Sequence, residues 1–311
     1  TTEGMSFTAN GLELGEGDEV LTTLHEHPAG LACWRILKER RNVGLTQIEL
    51  PTPARAKEEI IDAFARAITP NTRVMSFCHI NYTTGLRMPV KELSKLARDN
   101  GIISVVDGAH AIGMLSLNLH DLGCDFYATS PHKWLNAPPG TGVLYIRNGM
   151  LEHFWPTVSE SSPFATNIEA LQGRGQQNTP AFACITDLVD FQKNTIGRER
   201  VENRILALSS YLKDRIRETW GEASLFSPTE ETLSSGLTSF NPFDDHNNFE
   251  KIKIYKKLKD EYNIIIRPVG FKDKMTDGKA TQAMRVSTHI FNNYREIDKL
   301  VGSLEALIAA M

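Results

Sequence analysis

Lys133 stands between a histidine and a tryptophan in the run Ser130-Pro131-His132-Lys133-Trp134. The apolar stretch Asp125-Phe126-Tyr127-Ala128-Thr129 leads into it, and the uncharged turn Ala137-Pro138-Pro139-Gly140 follows. Burial among apolar groups disfavours the charged form of an amine and lowers its pKa. A lysine made neutral in this way is a nucleophile that can form a Schiff base with a carbonyl. The other reading is a solvated lysine on a surface loop, the ordinary place for one. Two further residues able to do chemistry, Asp107 and His110, lie upstream in Val105-Val106-Asp107-Gly108-Ala109-His110-Ala111.

The elements around these residues read as a parallel βαβ arrangement. Val74–Cys78 is a buried strand, 90–100 a helix stopped by Gly101, and Ile102–Val106 an apolar run without alternation, as for a strand covered on both faces. Strand, helix, strand with short links makes a parallel unit, and ligands in such sheets bind beyond the carboxyl ends of the strands. Asn81, Asp107, His110 and Lys133 all fall at that edge. The strand 142–147 returns after a short turn and is expected antiparallel to its neighbour. Upstream, residues 5–12 read as a helix, 18–23 as a strand, and 29–41 and 55–68 as helices, the last with Ile60, Phe64 and Ile68 at four-residue steps. Thr1 and Thr2 are either an ordinary N-cap or a source of hydroxyls and free N–H groups for an anion. His25 and His27 would share a strand face, but no third ligand is near and the H-E-x-x-H pattern is absent, so no metal site is expected. Downstream, 151–180 is loop-rich, 182–196 and 197–220 are helices, 237–240 is a strand, 247–262 a basic helix, 263–267 and 284–288 strands, and 294–310 a terminal helix. The expected organisation is a large domain over 1–196, a connecting helix over 197–220 and a small α+β domain over 221–311.

The chain has 311 residues and a net charge of −4, which gives no general attraction to nucleic acid or an anionic membrane. No apolar run is long enough to span a bilayer, and no signal peptide is recognisable. The four cysteines, Cys33, Cys78, Cys124 and Cys184, form no C-x-x-C pair, which favours reduced thiols and a cytoplasmic protein.

A carboxylate buried at a strand end needs a cationic partner. A protonated pyridine nitrogen is one; an aldehyde on the same ring would take Lys133, and a phosphate the polar loops. That is the residue set pyridoxal 5'-phosphate requires. Neither G-x-G-x-x-G nor G-x-x-x-x-G-K-[ST] is present. The segments 105–111, 125–135 and 140–145, together with Met284-Arg285-Val286-Ser287-Thr288-His289-Ile290-Phe291-Asn292-Asn293, resemble the class V aminotransferases, which are fold type I pyridoxal-phosphate enzymes. The H-K-W-L-x-A-P-x-G-x-G run looks most like the branch of isopenicillin N epimerase and related C–S lyases. The resemblance implies an α/β fold with a mainly parallel sheet flanked by helices. It makes Lys133 the Schiff-base lysine and proton shuttle, Asp107 the partner of the pyridine nitrogen, and His27 the residue stacked on the ring. It places His110 near the phenolic oxygen and Asn81 near the ring or substrate. Thr1, Thr2, Ser130 and His132 would bind the phosphate, and Arg285 the substrate carboxylate.

Three departures stand out. The family's segment before Thr-Thr-Glu-Gly is missing from the sequence. No cysteine lies between Asn263 and Arg285, where desulfurases of the family carry a nucleophile, so that mechanism is not expected. Gln172-Gly173-Arg174-Gly175-Gln176-Gln177 replaces the family's glycine-threonine-arginine motif, which reaches the phosphate across a dimer interface. The expected function is an enzyme acting at Cα of an amino acid, aminotransferase first, with a C–S (β-elimination) lyase or an epimerase as alternatives. A catalytically silent binding or assembly subunit is the reading from a different class. A homodimer is expected from the family.

Overall fold

The computed structural model describes residues 1–158, 168–172, 175–272 and 279–311. The first part of the chain alternates strands and helices: α1 Thr2–Gly11, β1 Glu19–Thr23, α2 Pro28–Arg41, β2 Gly44–Ile48, α3 Lys57–Ala67, β3 Thr72–Cys78, α4 Val90–Asp99, β4 Ile103–Asp107, the single turn α5 Leu119–Leu122, β5 Phe126–Thr129 and β6 Val143–Ile146. Helices α6 Thr179–Asp190 and α7 Arg198–Trp220 follow. The remainder is β7 Leu237–Phe240, α8 Phe249–Ile252, α9 Ile254–Tyr262, β8 Arg267–Lys272, β9 Ala280–Ser287 and α10 Tyr294–Ala309.

The larger sheet runs β2-β1-β3-β4-β5-β6, parallel except for β6, which pairs antiparallel with β5. Its faces are covered separately. Ile60, Phe64, Leu93 and Ala97 of α3 and α4 pack with Leu21, Met75, Phe77 and Val106 on one side. Met5, Ala9, Trp34 and Leu37 of α1 and α2 pack with Val20, Val74, Val105 and Phe126 on the other. Full burial of each such large side chain stabilises the fold by about 1.5–3 kcal/mol. Helix α1 approaches β5 so closely that a Cβ on Gly4 would lie 2.8 Å from Ala128 Cβ. That contact holds the N-terminal end of α1 beside the loop leaving β5.

The second sheet, β7-β9-β8, is antiparallel and has its own core with Leu258, Leu300, Val301 and Leu304. Helix α7 joins both cores, through Val201 and Ile205 to the first and Leu208, Leu212 and Ile216 to the second.

Several sequence expectations change. The pair His25 and His27 is not on a strand: β1 ends at Thr23, His25 lies in the following turn and His27 caps α2. Strand β2 has no counterpart in the sequence reading, because its five residues are partly exposed and open with glycine. Residues 263–266 are outside the sheet and Ile265 is 77% exposed, so the strand begins only at Arg267. An apolar run is a strand only where a neighbouring strand takes its hydrogen bonds. The helix expected over 247–262 breaks at Lys253 into α8 and α9, and the helix over 182–196 ends in a π-turn at Phe191–Ile196.

Candidate functional site

The parallel strands deliver their side chains to one edge. Thr23 leads to His25–His27, Cys78 to the loop 79–85, Asp107 to Gly108–His110 and Thr129 to Ser130–Lys133. A cavity of about 580 Å³ opens there, lined among others by Thr1, Thr2, His27, Gly30, Asp107, Ser130, His132 and Lys133. The structure thus brings together, around one space, seven of the residues that the sequence singles out.

Lys133 is half-buried. Burial lowers the pKa of its amine, and the nearby Arg285 adds to this, while Asp107 opposes it. Its Nζ lies 3.1 Å from His110 Nε2, and Trp134 Nε1 donates to His110 Nδ1 at 3.0 Å. These two contacts fix a protonation pattern. An indole nitrogen only donates, so Nδ1 of His110 carries no proton. A neutral imidazole then bears its proton on Nε2, which points at Lys133. The hydrogen bond therefore runs from His110 to the lone pair of an uncharged lysine amine. Burial holds the His110 pKa well below its ordinary value, in keeping with a neutral ring.

Asp107 is buried at the end of β4. Its Oδ1 accepts from the Ala109 N–H at 2.9 Å. Burial raises its pKa, opposed by that N–H and by Lys133. Helix α2 passes so close to Asp107 that a Cβ on residue 30 would lie 2.6 Å from Oδ2, so glycine keeps this oxygen accessible. His27 accepts the Ala29 N–H on Nδ1 at 3.2 Å and meets the Tyr82 ring edge-on at 4.9 Å. Its pKa is lowered by burial first, then by Lys133, with Arg285 and Arg267 contributing.

At the other end of the cavity, Thr1 Oγ1 and Ser130 Oγ are 2.5 Å apart. Thr1 holds the N-cap position of α1 but its side chain does not cap the helix. The first-turn N–H groups, with the positive end of the helix dipole, thus lie at the cavity wall beside two hydroxyls. His132 Nδ1 donates to the Thr141 carbonyl at 3.2 Å, which leaves Nε2 for another partner.

Three sequence-selected residues lie outside the cavity lining: His110, which stands behind Lys133, Asn81 and Arg285. Asn81 is buried; its Oδ1 accepts from Thr83 N and Thr83 Oγ1 and so shapes the loop after β3, while its Nδ2 has no partner among the described residues. Arg285, on β9, donates through Nη1 to the Tyr82 carbonyl at 2.7 Å, so it reaches the same edge from the smaller sheet. Arg174 lies outside the described residues.

The sequence model described as aminotransferase class-V matches residues 1–300. The chain belongs to this family. Class V aminotransferases are pyridoxal-phosphate enzymes, and the mainly parallel sheet flanked by helices is the fold type I architecture. The chain is 29% identical to the isopenicillin N epimerase of Streptomyces clavuligerus, over 98% of this chain and 78% of that protein. It is also 29% identical to a cysteine desulfurase of Haloferax volcanii, over 98% of this chain and 72% of that protein. Among solved structures, an apo cysteine desulfurase from Thermococcus onnurineus NA1 superposes with a TM-score of 0.82 at 24% identity, covering all of this chain and 78% of that one.

The residues present fit the family's cofactor. The accessible Oδ2 of Asp107 suits a pyridinium N–H, the amine of Lys133 an aldehyde carbon, and the uncapped first turn of α1 with Thr1 and Ser130 a phosphate. Sequence reasoning missed Trp134 as the donor that sets the His110 tautomer, Gly30 as the clearance over Asp107, and Gln177 and Phe182 as wall residues. A signal existed only for Trp134, since a buried indole N–H requires an acceptor.

Proposed function

We propose that this class V enzyme moves a proton at Cα of an amino-acid substrate, with Lys133 as the base, and that epimerisation is its outcome. The observation that carries this is the Lys133 amine, held with its lone pair toward His110 Nε2. When bound, pyridoxal phosphate supplies an aldehyde for an amine and a ring that accepts the electrons left by a broken Cα bond. Asp107 would keep the ring nitrogen protonated by offering a buried carboxylate. His110 donates toward Lys133 and keeps the amine unprotonated between steps. Arg285 takes the substrate carboxylate in the bidentate manner suited to guanidinium. Thr1, Thr2, Ser130 and His132 would hold the phosphate, His27 would pack on the ring, and the Asn81 amide, which has no partner among the described residues, would be available to ring or substrate.

Similarity to isopenicillin N epimerase supports epimerisation over the transamination favoured by the sequence. A second reading, C–S bond cleavage, has support from the desulfurase relatives. A desulfurase-type sulfur transfer would lack its nucleophile, since Cys33, Cys78 and Cys124 are buried and Cys184 lies on α6. The test is incubation with an amino-acid panel in deuterated water. Deuterium entering Cα with inverted product supports epimerisation, keto acid indicates transamination, and thiol or sulfide indicates C–S cleavage. No exchange with any amino acid sinks the proposal.

The same reading includes a cytoplasmic homodimer, and a division into a large domain over 1–196, a connecting helix and a small domain over 221–311. The separate cores joined by α7 support the division. Support for the dimer lies in α6, which buries none of its apolar side chains although Phe182 and Ile185 are among them. Val143, Trp155, Val158, Ile168, Val189 and Phe191 are exposed in the same part of the chain. A second copy would cover this surface and complete a wall of the cavity. Sedimentation of the purified protein as a monomer at micromolar concentration would sink the dimer.

A further inference from the structure

The pairing of β9 with both neighbours sets Ser239, Arg285 and Arg267 side by side in one row across the smaller sheet. The face on which this row stands is turned toward the site. On β8, Arg267, Val269 and Phe271 share a face; the latter two are buried, and the Phe271 ring lies 5.4 Å from that of His25. At the other end of the row, Ser239 Oγ donates to the Thr83 carbonyl, next to the Tyr82 carbonyl that receives Arg285. The row therefore faces the loops after β1 and β3, which carry His27 and Asn81.

Two guanidinium groups directly opposite each other on an antiparallel pair repel. Among the described residues no carboxylate pairs with either, and Arg285 Nε is buried without a partner. A cavity of about 500 Å³ opens on both arginines, with Lys259 and Ser287 also in its wall. A single carboxylate compensates one guanidinium and leaves the other facing it. A dianion compensates both.

We propose that Arg285 and Arg267 form a two-point anion clamp, and that the substrate is an amino acid with a second anionic group on its side chain. The α-carboxylate takes Arg285 and the distal anion takes Arg267. This rests on the reading of Lys133 as the group that meets the amino acid.

The test is titration calorimetry of the cofactor-loaded protein with succinate and glutarate against butyrate and pentanoate, which match them in length and carry one charge fewer. Arg267 is exposed on an edge strand, so Arg267→Gln should fold normally, and Arg267→Lys keeps the charge. Expected is a preference of about tenfold or more for the better dianion over its monoanion, equivalent to about 1.4 kcal/mol. Arg267→Gln should abolish the preference while leaving monoanion affinity within about twofold, and Arg267→Lys should keep part of it. Equal affinities in the wild type, or equal weakening of both ligand classes in Arg267→Gln, overturn the clamp. Amino-acid-induced change in the cofactor absorbance is followed on the same samples. A response without dianion preference removes the clamp alone, whereas dianion preference without any response removes the reading of Lys133 and leaves an anion site.

Discussion

The two sheets present opposite kinds of edge to the same site. On the larger sheet, the groups around Lys133 have partners within the chain: Trp134 fixes His110, His110 meets Lys133, and Ala109 holds one oxygen of Asp107. On the smaller sheet, among the described residues, Arg285 gives one hydrogen bond to a carbonyl and keeps a buried donor unpaired, with Arg267 beside it. The first edge is set in place before any ligand arrives, which suits a resident cofactor. The second carries surplus positive charge and donors, which suits a ligand that comes and goes.

The largest effect expected on this contrast is from Lys133→Ala. It should remove the borohydride-sensitive absorbance band of the cofactor and lower turnover by roughly six orders of magnitude, as loss of the covalent nucleophile does in a serine protease. A retained band would show that the larger edge is not where the cofactor attaches. Asp107→Asn should lower turnover on the order of 10²–10³-fold, because the charge facing the ring nitrogen is lost; steady-state rates with saturating cofactor measure this.

Arg285→Gln tests the other edge. It should raise KM about 10- to 100-fold with a smaller change in kcat, the loss of charge-assisted hydrogen bonds worth about 1.5–3 kcal/mol. A fall in kcat alone would mean that this edge is also preorganised for the chemistry.

Trp134→Phe keeps the ring and removes the indole donor. His110 can then place its proton on Nδ1, and Nε2 becomes an acceptor for a charged lysine. The rate of cofactor capture by Lys133 should fall about fivefold at neutral pH, the worth of about one hydrogen bond, and its pH profile should move to higher pH. An unmoved profile would contradict the tautomer deduced for His110. The smallest effect concerns Glu26, buried beneath the larger edge with Thr23 Oγ1 donating to it at 2.7 Å. Burial raises its pKa from 4.5 to about 8, so the folded state keeps a proton that the unfolded chain releases between these values. Its contribution to stability therefore declines as pH rises through that window. The melting temperature of Glu26→Gln relative to wild type should climb across the same window, by on the order of 5 °C. A constant difference would show Glu26 ionised in the fold.

The sequence by itself determined that Asp107, His110 and Lys133 meet at one sheet edge, because apolar runs, helix periodicity and stop residues are local signals that order parallel strands. It also yielded the family, since the residues around Lys133 are contiguous. Three matters were decided only by the tertiary structure. The tautomer of His110 depends on an indole 24 residues away, and the place of Arg285 on a carbonyl 203 residues away. The opposition of Arg267 and Arg285 depends on strand register. None of these leaves a trace in periodicity or spacing, because side-chain hydrogen bonds and cross-strand pairs form between segments whose sequences carry no record of one another.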